Sequence, residues 1–217
     1  MLIFYATPVS SYSAKLRIAL AAKGITCEER EPPGGYRSQD WRVIQPTGTI
    51  PAIDDAGFVL AESEAIIEYL EDRHLEPPLL PGSAQDRARS RFLARFHDLQ
   101  FEPSVRALFP LVNPTRRDAA RLTEVATALN ERIALLNRIA TPAPWMAGRE
   151  FSTADCGFAV SLPLARLLLE AMGRVLALPA AIECWLAVAQ AHPAVIAGLA
   201  PWRPATEHWI SAQLAPA

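Results

Sequence analysis

Hydrophobic and polar positions in the first 80 residues alternate between two spacings. Residues 2–6 form a short apolar run, whereas Leu16, Ala19 and Leu20 follow the i, i+3, i+4 spacing of one helix face. The whole pattern predicts strands over 2–6 and 25–31, helices over 10–24 and 38–44, a hairpin over 51–60, and a helix carrying Ile66, Ile67 and Leu70. The predicted order is therefore βαβαββα, which is an α/β unit.

A proline-rich segment separates this unit from a second half in which only helical spacing occurs. Residues 77–83 run Pro-Pro-Leu-Leu-Pro-Gly-Ser, a composition typical of a stiff connection. Beyond it, apolar positions predict helices over 86–108 (with Phe92, Leu93, Phe96 and Leu99), from Asn113-Pro114 onward, from after Gly148 to about Met172, over 180–191 and over 206–214. We therefore predict an α/β domain over 1–78, a linker over 79–85 and an all-α helical bundle over 86–217.

Composition and charge narrow the class of protein. The chain is 51% hydrophobic and 20% charged, which indicates a globular fold. Its 21 basic and 23 acidic residues nearly cancel, which argues against nucleic acid or an anionic membrane as a partner. The N-terminus has no signal-peptide pattern, the apolar stretch 158–169 is too short to span a bilayer, and the three cysteines and four histidines lack metal-site spacing. We expect a soluble, cytoplasmic protein without a metal.

Three polar motifs fall at one end of the predicted α/β unit. Ser10-Ser11-Tyr12-Ser13 begins the first helix, Thr49-Ile50-Pro51 precedes the third strand, and Glu62-Ser63-Glu64 begins the third helix. Each has a purely structural explanation, because serine and acidic residues cap helices and proline is tolerated at the start of a strand. Helix N-termini also bind anions through free N–H groups. A fourth motif, Ser152 to Asp155, has the form of a capping box and is explained by folding alone.

Taken together, these motifs resemble the glutathione S-transferase family along essentially the whole chain. The resemblance lies in Ser10 to Leu20, Gln45 to Pro51, Glu62-Ser63 with Ala65 to Leu70, and Ser152 to Asp155. The chain is similar to serine-type, bacterial-like cytosolic members related to the theta, delta and zeta classes. The resemblance implies a thioredoxin-like N-terminal domain that binds glutathione, a helical domain that covers a second substrate, and assembly as a homodimer.

The resemblance also implies roles for individual residues. Ser10 is expected to activate the glutathione thiol, with the adjacent Ser11 and the strand residue Tyr5 left open as alternatives. Ser63 is expected to hold the γ-glutamyl carboxylate and Glu62 to face the ammonium group. The remaining glutathione-binding residues are Thr49, Ile50 and a cis Pro51, with the Ile50 backbone pairing with the cysteinyl residue in a strand-like contact.

The chain also departs from the family pattern. Zeta-type members have a cysteine where this chain has Tyr12, which argues against maleylacetoacetate isomerase activity. Delta-type members have a histidine where this chain has Gly48, so Arg42 or Gln39 become the candidates for contacting the glycyl carboxylate. No cysteine occupies position 10, which argues against the glutaredoxin-like thiol transferases, since these need a thiolate of their own.

The second substrate is expected to lie against the helix that follows the linker. The candidates are Tyr12, Phe101, Arg106 and Phe109, although the phenylalanines are also explained as core residues and Arg106 as a solvent-facing one. The predicted function is a transferase that conjugates glutathione to an electrophilic small molecule. Two alternatives remain open: a zeta-like glutathione-dependent cis–trans isomerase, and a glutathione- or ligand-binding protein with little turnover.

Overall fold

The first half of the chain folds as a mixed four-stranded sheet flanked by helices. The computed structural model describes residues 1–215, so the last two positions of the predicted helical domain, 216 and 217, lie outside the described residues. The elements are β1 Leu2–Tyr5, α1 Ser11–Ala22, β2 Glu28–Arg30, α2 Gln39–Ile44, β3 Ala52–Asp55, β4 Phe58–Ala61 and α3 Ser63–Arg73. The sheet order is β2-β1-β3-β4, with β1 parallel to β2 and antiparallel to β3. The predicted βαβαββα, thioredoxin-like arrangement is confirmed.

The β3–β4 hairpin forms where the sequence predicts it, because its turn residues suit the geometry. Ala56 and Gly57 have φ angles of 54° and 95°, the positive values that a tight hairpin turn needs. The Asp54 carboxylate accepts a hydrogen bond from the Gly57 backbone N–H at 2.6 Å, which closes the turn. The resulting register places Ile53 opposite Leu60, and Ile53 is completely buried.

The regular elements of the second half are all helical within the described residues, as predicted. Its elements are α4 Ala84–Phe96, a π-helical segment His97–Phe101, α5 Glu102–Arg106, two short 3-10 turns at Phe109–Leu111 and Pro114–Arg116, α6 Ala119–Ile139, α7 Thr153–Ala171, α8 Ala180–Ala191, α9 Pro193–Leu199 and α10 Trp202–Leu214. No single helix within residues 1–215 is long and apolar enough to cross a membrane. Only Ala180–Ala191 and Pro193–Leu214 taken together, bent by 80°, meet those criteria.

The helix predicted over 86–108 differs from the observed one in continuity and in its buried face. The π-helical segment interrupts it, and the wider turn changes which side chains face inward. Leu93 and Phe96 are buried, but Phe92 and Leu99 are 53% and 62% exposed, so their assignment to the apolar face is wrong. The apolar stripe is therefore narrower than the spacing of the four residues suggests.

Two helix boundaries in the second half also differ from the prediction, and one helix was not predicted at all. The helix expected from Asn113-Pro114 begins at Ala119, because Asp118 caps it by accepting from the Arg121 N–H at 2.7 Å. The helix α9 was not predicted. The last helix begins at Trp202 rather than at 206, since Pro204 lies in its first turn, where a missing N–H costs little.

Helix α1 joins the two halves into one hydrophobic core. It packs against α7 and α9 of the helical half. The approach to α9 is so close that a Cβ atom at Gly198 would lie 2.8 Å from the Ile18 backbone nitrogen. The connection between α3 and α4 is also fixed, because the Glu71 carboxylate accepts from the N–H groups of Leu79 and Leu80 at 2.9 and 3.1 Å. The two halves are therefore held firmly against each other.

Candidate functional site

A cleft of about 650 Å³ opens between the α/β half and the helical half. The α/β wall consists of the N-terminal turn of α1, the loop before β3, and the start of α3, with Ser10, Ile50 and Ser63 among its residues. The opposite wall comes from α4, the π-helical segment, α5 and α10. All three polar motifs that the sequence places at one end of the α/β unit line this cleft, including Thr49, Pro51 and Glu62.

Ser10 occupies the N-cap of α1 at the cleft surface. Its Oγ accepts a hydrogen bond from the Ser13 backbone N–H at 3.2 Å, and its extended backbone (φ −73°, ψ 121°) is typical of a cap. This contact uses an oxygen lone pair, so the hydroxyl proton remains available to a group in the cleft. The positive end of the α1 dipole lies at the same point and favours an anion there.

The loop before β3 is held rigidly beside Ser10. The buried Gln45 side chain accepts from the Gly48 N–H at 2.6 Å, and the Trp41 indole donates to the Thr49 carbonyl at 3.1 Å. The Ile50–Pro51 peptide bond is cis. Within the described residues, the Ile50 backbone takes part in no loop, turn or ladder hydrogen bond, so its polar groups are free to pair with an extended peptide.

The N-terminus of α3 presents uncapped backbone N–H groups to the cleft. Glu62, its N-cap residue, makes no side-chain capping hydrogen bond and has a φ angle of 72°, which is uncommon for a residue with a side chain. Ser63, the first helical residue, is 5% exposed and lines the cleft. Free N–H groups, a hydroxyl and the helix dipole thus converge where an anion can bind, and the exposed Glu62 carboxylate lies beside them.

A buried ion cluster supports this region from behind. Lys15 of α1 is 1% exposed, and its Nζ contacts Glu64 Oε2 at 2.7 Å and Asp98 Oδ1 at 2.8 Å. Burial by itself would raise the pKa of Asp98, but the His97 hydrogen bond and the Lys15 charge outweigh it and lower that pKa to about 2. Asp98 therefore remains ionised at the cleft wall, where it can attract a cation.

The far end of the cleft is aromatic and contains the cation Arg106. Arg106 lies over the rings of Tyr12 and Phe109, with its guanidinium carbon 5.5 and 5.6 Å from the ring centroids. Phe109 in turn packs on Trp209 at a centroid distance of 5.0 Å. Burial, followed by the charges of Glu102 and Asp98, raises the pKa of Tyr12 well above its ordinary value. Tyr12 is consequently a neutral phenol at physiological pH.

Several residues that the sequence suggested as site residues lie elsewhere. The Ser11 side chain is buried and donates to Glu102 at 2.5 Å, and Tyr5 packs against Trp41 beneath the sheet, so neither hydroxyl lines the cleft. Phe101 is completely buried against His97 and Phe158, which places it in the core rather than in the second-substrate pocket. The physical reason is burial, because each of these side chains packs against interior groups of the protein rather than facing the cleft.

The two residues suggested for the glycyl carboxylate of glutathione are also outside the cleft. Arg42 donates to the carbonyl oxygens of Arg37 and Thr47 at 3.3 and 3.4 Å, and Gln39 is exposed on α2. The arginines that do line the cleft are Arg95 and Arg106.

Sequence reasoning missed several contributors to this site, among them Trp209, Asp98 and Lys15. Trp209 is a single aromatic residue on the last helix, and nothing in its neighbourhood pointed to the cleft. Asp98 lies in the π-helical segment, where the wider turn means that α-helical spacing does not predict the direction of its side chain. Lys15 did give a signal, since it is a lone charged residue between Ala14 and Leu16 on a helix that is otherwise apolar on that face. Within residues 1–215, no group of three or more metal-binding side chains occurs.

Residues 4–78 match the model described as "Glutathione S-transferase, N-terminal domain". A "Stringent starvation protein A homolog" of Pasteurella multocida is 33% identical over 147 residues, which are 67% of this chain and 66% of that protein. "Glutathione S-transferase Z2" of Arabidopsis thaliana is 42% identical over 82 residues, which are 36% of this chain and 37% of that protein. The chain thus spans less than two thirds of the length of these curated relatives.

The fold has counterparts among solved structures. A bacterial maleyl pyruvate isomerase, described as a zeta-class glutathione S-transferase, superposes with a TM-score of 0.78 at 25% sequence identity. The match covers 93% of this chain and 98% of that chain, so the likeness extends over both halves and the cleft between them.

Proposed function

Because the chain belongs to the glutathione S-transferase family, we propose that it binds glutathione, stabilises the thiolate with Ser10, and transfers that thiolate to an electrophilic small molecule. The observation that carries this proposal is the position of Ser10. Its hydroxyl lies at the N-terminus of α1, in the same cleft as the uncapped N-terminus of α3 and the cis Pro51.

The arrangement supports one orientation of glutathione. Its γ-glutamyl carboxylate binds the free N–H groups at the start of α3 and the Ser63 hydroxyl, while its ammonium group lies between Glu62 and the ionised Asp98. The cysteinyl residue pairs with the free backbone groups of Ile50, which places its sulfur next to Ser10. Thr49 and Pro51 shape the wall on which the peptide lies.

The Ser10 hydroxyl and the α1 dipole are sufficient to ionise the thiol at neutral pH. Lowering a thiol pKa of about 8.5 by about 2 units requires about 2.7 kcal/mol in favour of the thiolate. A hydrogen bond to a charged group supplies about 1.5 to 3 kcal/mol and a helix N-terminus about 0.3 to 1 kcal/mol. The thiol proton leaves to solvent, and the thiolate forms a bond to carbon as the leaving group departs with its electron pair.

A second candidate is a glutathione- or ligand-binding protein with little turnover. It is favoured by the relatives named stringent starvation protein A homologs, a name that describes no transferase chemistry. The zeta-like isomerase remains a third candidate, because the maleyl pyruvate isomerase shares the fold over both halves. Tyr12, where zeta-type members have a cysteine, argues against it.

We also propose a cytoplasmic homodimer. Two exposed apolar side chains supply surface that a second copy would bury: Phe58 on β4 and Phe92 on α4. The Phe58 ring packs at an angle against Tyr69 of α3, with the ring centroids 5.2 Å apart. Light scattering after gel filtration should give twice the 23.7 kDa mass of the chain. A monomeric mass at micromolar concentration would exclude a stable homodimer.

One set of measurements tests the proposed activity. We expect calorimetry to detect glutathione binding, and turnover to follow with a chloronitrobenzene-type electrophile. An organic hydroperoxide and a maleyl-type cis-enone serve as comparison substrates. Binding without turnover on any of the three favours the binding protein, and turnover of the cis-enone alone favours the isomerase. Failure to bind glutathione would refute the transferase, the isomerase and the glutathione-binding protein, and it would leave only a protein that binds another ligand.

A further inference from the structure

Arg106 is held in a fixed orientation at the aromatic end of the cleft. The rings of Tyr12 and Phe109 lie on its guanidinium at 5.5 and 5.6 Å, and Trp209 supports Phe109 from the other side. The Arg106 side chain is nevertheless 48% exposed, so the aromatic contacts restrict it without covering it. An arginine held in this way presents its planar donors with little entropy left to lose on binding a ligand.

The charge of Arg106 is only weakly matched by the protein. Its nearest carboxylate, Glu102, is completely buried, and the two Glu102 oxygens already accept from Ser11, at 2.5 Å, and from Ser161. Arg106 Nη1 lies 3.4 Å from both Glu102 Oε1 and Ser11 Oγ, beyond the 2.7 to 2.9 Å usual for charge-assisted hydrogen bonds. Within residues 1–215, Nε and Nη2 make no hydrogen bond. These two donors form the edge that binds a carboxylate in a bidentate manner.

We infer that the second substrate is a flat electrophile that carries a carboxylate, with its ring on the aromatic wall and its carboxylate on Arg106. This inference rests on the proposed function, because it concerns the other half of the same cleft. Of the two carboxylates of glutathione, the γ-glutamyl one is not the expected partner, since it is placed at Ser63, on the opposite wall. For an aryl chloride, the thiolate sulfur bonds to the ring carbon, chloride leaves with the bonding electrons, and the thiol proton goes to solvent.

A matched pair of electrophiles tests this inference. 4-Chloro-3-nitrobenzoate and 4-chloro-3-nitrobenzamide have nearly the same shape and differ in charge. Each kcat/KM is divided by the uncatalysed rate with glutathione at the same pH, which removes the intrinsic difference in reactivity. We expect the wild-type protein to favour the benzoate by about 10-fold or more. We expect Arg106→Gln to lower the value for the benzoate by about 10- to 100-fold and that for the benzamide by less than about 3-fold.

Two further variants define the origin of the effect. Arg106→Lys keeps the charge but loses the planar fork, and it should retain part of the preference. Arg91→Gln removes a different arginine, which pairs with Glu68 outside the cleft, and it should change neither value. Circular dichroism and thermal melting establish that each variant is folded. An equal loss for both electrophiles in Arg106→Gln, or a raised pKa of the bound glutathione thiol, would mean that Arg106 acts on glutathione rather than on the second substrate and would overturn the inference.

Binding of the two S-aryl conjugates separates this inference from the proposed function. The carboxylated conjugate should bind the wild-type protein more tightly than its amide counterpart, and Arg106→Gln should remove the difference. Such selectivity without turnover would support the role of Arg106 and refute the transferase. Equal affinity for the two conjugates would overturn the role of Arg106 and leave the transferase standing. Absence of binding by glutathione and by both conjugates would refute both.

Discussion

At the scale of single residues, the site depends on which of two adjacent serines faces the cleft. We predict that Ser10→Ala raises the pKa of bound glutathione by about 1 to 2 units, because the thiolate loses a hydroxyl donor worth about 1.5 to 3 kcal/mol. The ultraviolet absorbance of the bound thiolate, titrated against pH, measures this shift. The substitution also removes the cap that accepts from Ser13, so stability should fall by about 1 kcal/mol.

Ser11→Ala is the matched control for this experiment. The Ser11 hydroxyl donates to the buried Glu102 carboxylate, so its loss should cost about 1 to 3 kcal/mol of stability. The thiol pKa should not change, since Ser11 does not line the cleft. An unshifted titration in Ser10→Ala, or an equal shift in Ser11→Ala, would remove Ser10 from the activating role.

The sequence could not distinguish these two serines. Successive helical side chains point about 100° apart. A run of hydroxyl residues at the start of a helix therefore indicates where the site lies but not which of the hydroxyl groups faces the cleft. Ser10 differs because it precedes the first helical turn, where its backbone is still extended. The same limit explains Phe101, because a phenylalanine in a pocket and one in a core have the same sequence signal.

At the scale of elements, two helices begin with the same capping box in different surroundings. In α4 the Asp86 carboxylate accepts from Ser83 at an exposed site, and in α7 the Asp155 carboxylate accepts from Ser152. Asp155 is completely buried, which raises its pKa to about 6, and it also accepts from the Met146 backbone and the Trp185 indole, both at 2.8 Å. The buried box therefore joins three segments, whereas the exposed one caps a single helix.

We predict that Asp155→Ala lowers the free energy of unfolding by about 3 to 5 kcal/mol, because it leaves buried donors on Met146 and Trp185 without partners. Asp86→Ala, the matched change in the exposed box, should cost only about 0.5 to 2 kcal/mol. Urea denaturation followed by circular dichroism compares the two variants. Similar losses would show that the additional buried contacts of Asp155 add little to capping.

Helices could be predicted from sequence where local chemistry defines them and not where packing does. Ser10 and Ser152 mark the starts of α1 and α7 by local hydrogen bonds. The start of α1 was predicted closely, and α7 begins at the predicted capping box, a few residues after the Gly148 boundary that the apolar spacing suggested. The π-helical segment has no comparable local signal. Its His97 ring fits against α7 only because residue 157 is glycine, a contact between residues far apart in sequence. For the same reason, the direction of Asp98 could not be predicted.

At the scale of the whole molecule, a network of buried polar contacts joins the two halves beneath the cleft. It runs from Thr153 of α7 through Glu64 of α3 to Lys15 of α1, and on to Asp98 and His97. From there it continues through Ser161 and Glu102 to Ser11 of α1. Two residues of the cleft wall, Glu64 and Asp98, belong to this network. The geometry of the site is thereby coupled to the attachment of one half to the other.

Lys15 lies at the centre of this network of contacts, and its removal should weaken the attachment of one half of the protein to the other. Lys15→Met leaves Glu64 and Asp98 buried without their shared cation, which should destabilise the protein by about 3 to 5 kcal/mol. A double-mutant cycle with Glu64→Gln should give a coupling energy of at least about 2 kcal/mol. The control cycle uses Arg91 and Glu68, an ion pair that also joins the two halves but is exposed, and it should give less than about 1 kcal/mol. Equal coupling energies in the two cycles would show that the buried pair contributes no more than a surface contact. A larger one for Lys15 and Glu64, together with weaker glutathione binding in Lys15→Met, would tie the support beneath the cleft to the binding site above it.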